Sequence, residues 1–192
     1  MSENLNPLVS RIRACRLCAD LPLGPRPIVQ FSAAAKILLV GQAPGRITHH
    51  KGRPFDDPSG NRLRAWLGVD REVFYTPEIF AIVPMGFCYP GTGRGGDLPP
   101  RPECAPAWRQ QILDALPNID LTLIIGRYAI DWHAPEHAKS SVTEAVKDWQ
   151  AHWPQRLILP HPSPRNTRWL KQNAWFEGEI VPRLREQVAR LI

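Results

Sequence analysis

Three short, predominantly apolar runs govern what this 192-residue chain can fold into. They are Lys36-Ile37-Leu38-Leu39-Val40, Leu121 to Ile125 and Leu157-Ile158-Leu159. Each is too brief for a core helix, and none alternates between apolar and polar. A strand with one wet face alternates, whereas a strand covered on both faces does not. These runs therefore read as parallel strands buried between layers of helices. A fourth strand is expected within Phe74 to Val83, irregular at Pro77. Helical periodicity fills the intervals. Ser59 to Leu67 sets Leu63, Trp66 and Leu67 on one face and stops at Gly68. Trp108, Ile112, Leu113 and Leu116 repeat the pattern, and Arg127 to Trp132 gives a short helix. Two helices close the chain, the last from about Trp175 to Leu191. At the amino end, Asn6-Pro7 reads as a cap followed by proline at the first helical position, with a short helix running toward Cys15 and Cys18. Residues 85–103, rich in glycine and proline, are expected to form one long loop. Strands alternating with helices predict an α/β fold with a mainly parallel sheet. No repeat or linker divides the chain, so residues 1–192 are expected to form a single domain.

Composition narrows the class. An apolar fraction of 43% and a charged fraction of 22% are ordinary for a globular protein. The start, Met1 to Asn6, is polar with no apolar segment behind it, so no signal peptide is expected. No apolar run approaches the roughly 18 residues a membrane span needs, and a cytoplasmic, monomeric protein is the expectation. A net charge of +6 favours polyanionic partners, nucleic acid first. Four cysteines, Cys15, Cys18, Cys88 and Cys104, are either separate buried thiols or one four-thiolate metal site. Soft thiolates take zinc and iron–sulfur centres alike.

Two loops follow predicted strands, where α/β folds bind their ligands. The first is Gly41-Gln42-Ala43-Pro44-Gly45, a tight turn that lets a ligand approach bare backbone. It lacks the G-x-G-x-x-G spacing, which disfavours a dinucleotide site. The second is His161-Pro162-Ser163-Pro164-Arg165-Asn166. Two prolines hold the imidazole rigidly, and Arg165, Arg168 and Lys171 bring positive charge suited to phosphates.

Together these loops resemble the two signature motifs of the uracil-DNA glycosylase superfamily. Gly52-Arg53-Pro54-Phe55 resembles a segment of its iron–sulfur members (family 4/5-like), as does the cysteine layout: a C-x-x-C near the amino terminus, then Cys88 and Cys104. The resemblance spans residues 15 to 166. It implies a three-layer α/β sandwich with a central four-stranded parallel sheet flanked by helices. It also implies an enzyme that flips uracil from DNA and hydrolyses the N-glycosidic bond. On this likeness Phe55 would stack on the base, and His161 would donate to uracil O2 as negative charge develops there. Gly41 and the backbone of Gln42 and Ala43 would hold the base and the attacking water. Ser163, Arg165 and Arg168 would bind phosphates, and the segment to Asn166 would press into the duplex. The cysteines would hold a [4Fe–4S] cluster, with zinc or nothing as alternatives.

Two departures stand out. Where the best-known uracil glycosylases carry a water-positioning Asp in the first motif, this chain has Ala43, and iron–sulfur members likewise lack that Asp. Asp56 and Asp57 could supply a carboxylate, or could serve only as acids at a helix N-terminus. The segment Tyr75 to Ile82 lacks the Asn that commonly reads the uracil edge. A glycosylase for another deaminated base such as hypoxanthine, or a damage-binding relative without excision, therefore stays in competition.

Overall fold

A computed structural model describes residues 7–192. The proposed cap at Asn6 lies outside the described residues. The chain runs α1 (Pro7–Arg13), β1 (Ile37–Val40), α2 (Arg46–Lys51), α3 (Pro58–Leu67), α4 (Arg71–Phe74) and β2 (Phe80–Ile82). It continues through β3 (Thr92–Gly93), β4 (Gly96–Asp97), α5 (Cys104–Asp114), β5 (Leu121–Ile125), α6 (Arg127–His133) and α7 (Val142–Lys147). β6 (Arg156–Leu159), α8 (Thr167–Gln172) and α9 (Val181–Leu191) complete it. Among the described residues, no helix is long and apolar enough to cross a membrane.

Four strands form one parallel sheet in the order β2-β1-β5-β6. All of β1 and β2 is buried, as is nearly all of β5 and β6. Burial on both faces is why these strands are nearly continuous apolar runs. After β1 the chain moves one way to β2, then returns across β1 to β5 on its other side. That reversal opens a crevice outside the carboxyl ends of β1 and β5, the position where such sheets bind ligands.

The second strand is shorter than its sequence suggests. Phe74 ends α4, because Asp70 caps the turn by accepting from the Val73 amide at 2.8 Å. The tight cap overrides the β propensity of Val73, Phe74 and Tyr75. The long loop at 85–103 is also not wholly irregular: β3 and β4 pair antiparallel within it as a small hairpin. The expected closing helix is divided, with a π-helical turn at Phe176–Ile180 ahead of α9. α9 packs on α3, where Arg185 donates to the Ala65 carbonyl at 2.7 Å and Trp66 donates to Glu177 at 3.0 Å.

Candidate functional site

A cleft of about 380 Å³ opens at the carboxyl ends of the strands, within the range of small-ligand sites. The loop after β1 forms its floor and the loop after β6 one wall. The Phe55 ring lies against the floor: a Cβ on Gly41 would come within 3.3 Å of its Cζ. Phe55 adopts φ 51°, a left-handed conformation that side-chain-bearing residues rarely take. Its surroundings impose that geometry. Tyr75 donates its hydroxyl hydrogen to the Pro54 carbonyl at 2.9 Å, and Arg64 donates to the Phe55 carbonyl at 3.3 Å. Gly60 lets that carbonyl pass, since a Cβ there would stand 1.7 Å from the Phe55 oxygen.

His161 lines the cleft just beyond β6. The Ser163 amide donates to its Nδ1 at 3.2 Å, so Nδ1 is an acceptor and the neutral ring carries its proton on Nε2. Burial pushes the imidazole pKa below its ordinary value, although Asp57 and Asp97 pull the other way. The ring is thus held neutral, with one N–H donor on a backbone-locked tautomer. Asn166 supports the same loop by donating to the His161 carbonyl at 2.8 Å. Arg62 ties the loop to α3, donating to the Ser163 carbonyl at 2.8 Å and to Thr167 at 3.2 Å.

The profile of the uracil DNA glycosylase superfamily matches residues 28–185. The chain belongs to that superfamily. Its members act on DNA, and the activity that follows in outline is that of a DNA glycosylase, a hydrolase of base-excision repair. The matched span begins after Cys15 and Cys18.

In this superfamily member the two candidate carboxylates are separated. Asp57 lines the cleft and caps α3, its Oδ1 accepting from the Gly60 amide at 2.8 Å. Asp56 does not line the cleft. It is gripped by both Arg71 nitrogens at 2.8 Å and by Lys51 at 3.4 Å, and the Arg71 hydrogen bonds hold its pKa down to about 2. A third carboxylate, Asp97 on the small hairpin, also lines the cleft. It escaped the sequence reading because nothing local distinguishes it within a glycine-rich loop. The hairpin is anchored from both signature loops: Arg165 donates to the Gly95 carbonyl and Gln42 to the Leu98 carbonyl, each at 3.0 Å. Gly41, Gln42, Ala43, Ser163 and Arg165 all reach the cleft, whereas Asn166 and Arg168 lie outside its lining. Arg168 is exposed on α8.

The four cysteines, none in a disulfide, line a second, separate pocket together with Phe87 and Trp108. Burial raises the Cys88 thiol to about 11 and the Cys104 thiol to about 12. Among the described residues, no group of three or more His, Cys, Asp or Glu side chains is set to hold a single metal ion.

Proposed function

We propose that this glycosylase takes uracil, flipped from DNA, into the cleft between Phe55 and His161 and hydrolyses its N-glycosidic bond. The observation carrying this reading is the backbone-locked tautomer of His161. Bond cleavage leaves negative charge on the departing base, chiefly on O2. A neutral, fixed Nε2–H donor in a cleft stabilises that charge without reorganising as it forms. A cationic imidazole would gain nothing from burial, and a mobile one would have to be ordered first. Phe55, pressed on the Gly41 backbone, offers a flat face to a base ring. Asp57 is the carboxylate best suited to orient water, because among the described residues its Oδ2 makes no hydrogen bond while Oδ1 is fixed at the helix cap. Ser163, Arg165 and Arg168 would meet phosphates around the flipped nucleotide.

A second reading has its own support. Ile82 and Pro84 give the cleft an apolar wall, and among the described residues no Asn lines it. An apolar wall favours shape over hydrogen-bond readout, which would admit hypoxanthine as well. Oligonucleotides carrying uracil, hypoxanthine or xanthine, single- and double-stranded, test the choice. Alkali-labile sites at uracil under enzyme excess are the expected result. Binding without any strand scission after alkali would refute the enzymatic reading.

We further propose that Cys15, Cys18, Cys88 and Cys104 ligate a [4Fe–4S] cluster. Four thiols from three separate stretches converging on one pocket supply one soft ligand per iron. Such a cluster would tie the stretch after α1 to the loop at 88 and to the start of α5. Because burial keeps Cys88 and Cys104 protonated, loading must release protons.

A further inference from the structure

Arg109 is the largest side chain buried without exposure, at 0%. It lies on α5, five residues past Cys104. Its guanidinium donates to the Val83 carbonyl at 2.9 Å, to the Pro84 carbonyl and to the Met85 sulfur at 3.3 Å. Its Nε has no partner among the described residues. Among the described residues, no carboxylate pairs with it. The nearby His133 is neutral and supplies no negative charge. A buried cation facing only carbonyl dipoles is costly, and an anion close by would offset it. Arg109 shares α5 with Cys104, and the segment it grips at Val83 and Pro84 runs directly on to Cys88.

The segment that Arg109 grips belongs to both pockets. Pro84 walls the base cleft, and Gly86, Phe87 and Cys88 line the cysteine pocket. The same stretch is sewn to the first signature loop, with the Met85 amide donating to Gly41 at 2.8 Å and the Gly86 amide to Gln42 at 2.9 Å. We propose that Arg109 is the counter-cation of a metal-loaded cysteine pocket, and that its hydrogen bonds to Val83 and Pro84 hold the base-cleft wall in register with that metal site. The inference rests on the four-cysteine metal reading above. Four thiolates outweigh the charge of the zinc or iron–sulfur core they bind, so the loaded pocket is net negative. Arg109 is a positioning residue: it touches no substrate, and it acts through the charge it offers on one side and the carbonyl groups it holds on the other.

The test compares the parent with Arg109→Met, which keeps length and loses charge, and Arg109→Lys, which keeps charge and loses the fork. Each protein is purified anaerobically. Bound iron, sulfide and zinc are measured, then the rate of metal release to a chelator, then the melting temperature of loaded and stripped forms. Arg109→Met is expected to release metal about 10- to 100-fold faster, the range for outer-sphere partners of a metal site. In the stripped form it should melt no lower than the parent, because an unpaired buried charge has been removed. Arg109→Lys should retain metal better than Arg109→Met. Should Arg109→Met fail to fold, Arg109→Gln carries the same comparison, since it keeps a donor and drops the charge. Metal release from the uncharged variant at the parental rate would overturn the inference while leaving the cysteine site intact. Equal loss from the Lys and Met variants would also overturn it, because charge would then not matter. A parent that holds no metal at all would overturn the cysteine reading and this inference with it.

Discussion

Replacing Gly60 with alanine is a one-carbon change outside the chemistry that should nonetheless disable the site. On propensity alone the substitution helps, since alanine is favoured over glycine inside a helix by roughly 0.5–1 kcal/mol. The local geometry opposes it. The new Cβ would stand 1.7 Å from the Phe55 oxygen, 2.6 Å from its carbonyl carbon and 2.9 Å from its Cβ. These are backbone and near-backbone atoms, so no flexible side-chain tip can swing away. Relief requires Phe55 to move by more than 1 Å or α3 to lift from the turn at residues 52–55, as judged against ordinary contact of about 3.4 Å. Moving Phe55 strains the hydrogen bonds from Tyr75 and Arg64 that impose its left-handed backbone. Overpacking of this kind costs about 1–3 kcal/mol and outweighs the propensity gain. A misplacement of about 1 Å in a positioning group costs on the order of 100-fold in rate. Gly60→Ala is therefore expected to excise about 100-fold more slowly under single-turnover conditions and to melt a few degrees lower. Excision within about threefold of the parent at an unchanged melting temperature would refute the claim that Gly60 sets the position of the stacking ring.

Other perturbations separate the remaining roles. His161→Ala is expected to lose about 100- to 1000-fold in single-turnover excision while retaining DNA affinity, since the loss is one preorganised donor of about 3–4 kcal/mol; excision within threefold of the parent would remove His161 from the chemistry. Asp57→Ala should slow excision far more than Asp56→Ala, whose carboxylate is locked in a surface ion pair with Arg71; the reverse order in parallel assays would contradict the separation of the two. Cys88→Ser and Cys104→Ser should lose the yellow-brown colour and bound iron together and cost solubility before chemistry; a colourless, iron-free, fully folded parent isolated anaerobically would count against the cluster. The last concerns pH. Burial, with Arg109 and Arg156 adding to it, pulls His133 down to about 3, while the unfolded chain titrates near 6.5. Above 6.5 neither state takes the proton; below it only the unfolded chain does, so stability falls between 6.5 and 3. His133→Gln should remove up to about 2 kcal/mol of the parent's loss between pH 7 and pH 5, measured by urea unfolding. Equal pH slopes would show that His133 is not held neutral.

The sheet was legible because β1, β5 and β6 are buried on both faces and carry almost no polar residue to obscure the run. The stretch near Phe74 was not, because its aromatic and branched residues favour strand while the single Asp70 cap decides for a helical turn. α7 was legible in principle: Ser141 and Glu144 form a reciprocal capping box, the S-x-x-E signature that precedes a helix. Both signature loops announced themselves by following strands. Asp97, Arg62 and Arg109 did not. A carboxylate in a glycine-rich loop and arginines on helices ordinarily face water, and only the tertiary arrangement sets them at the cleft, across it or beneath it.

The Arg62 tether has a consequence for how the base cleft selects its occupant. α3 starts from the turn that carries Phe55 and Asp57, and Arg62 on that helix bonds directly to the carbonyl groups of the loop carrying His161. The two jaws of the cleft are thus fixed to each other by a rigid planar fork rather than free to close on a ligand. A gauge with fixed jaws measures its object by thickness and outline. Little binding energy is then consumed in ordering the protein, and a base that is too wide meets a wall instead of a yielding lid. Shortening that fork by Arg62→Lys should loosen the gauge, broadening the range of bases accepted before it lowers the rate on the best one.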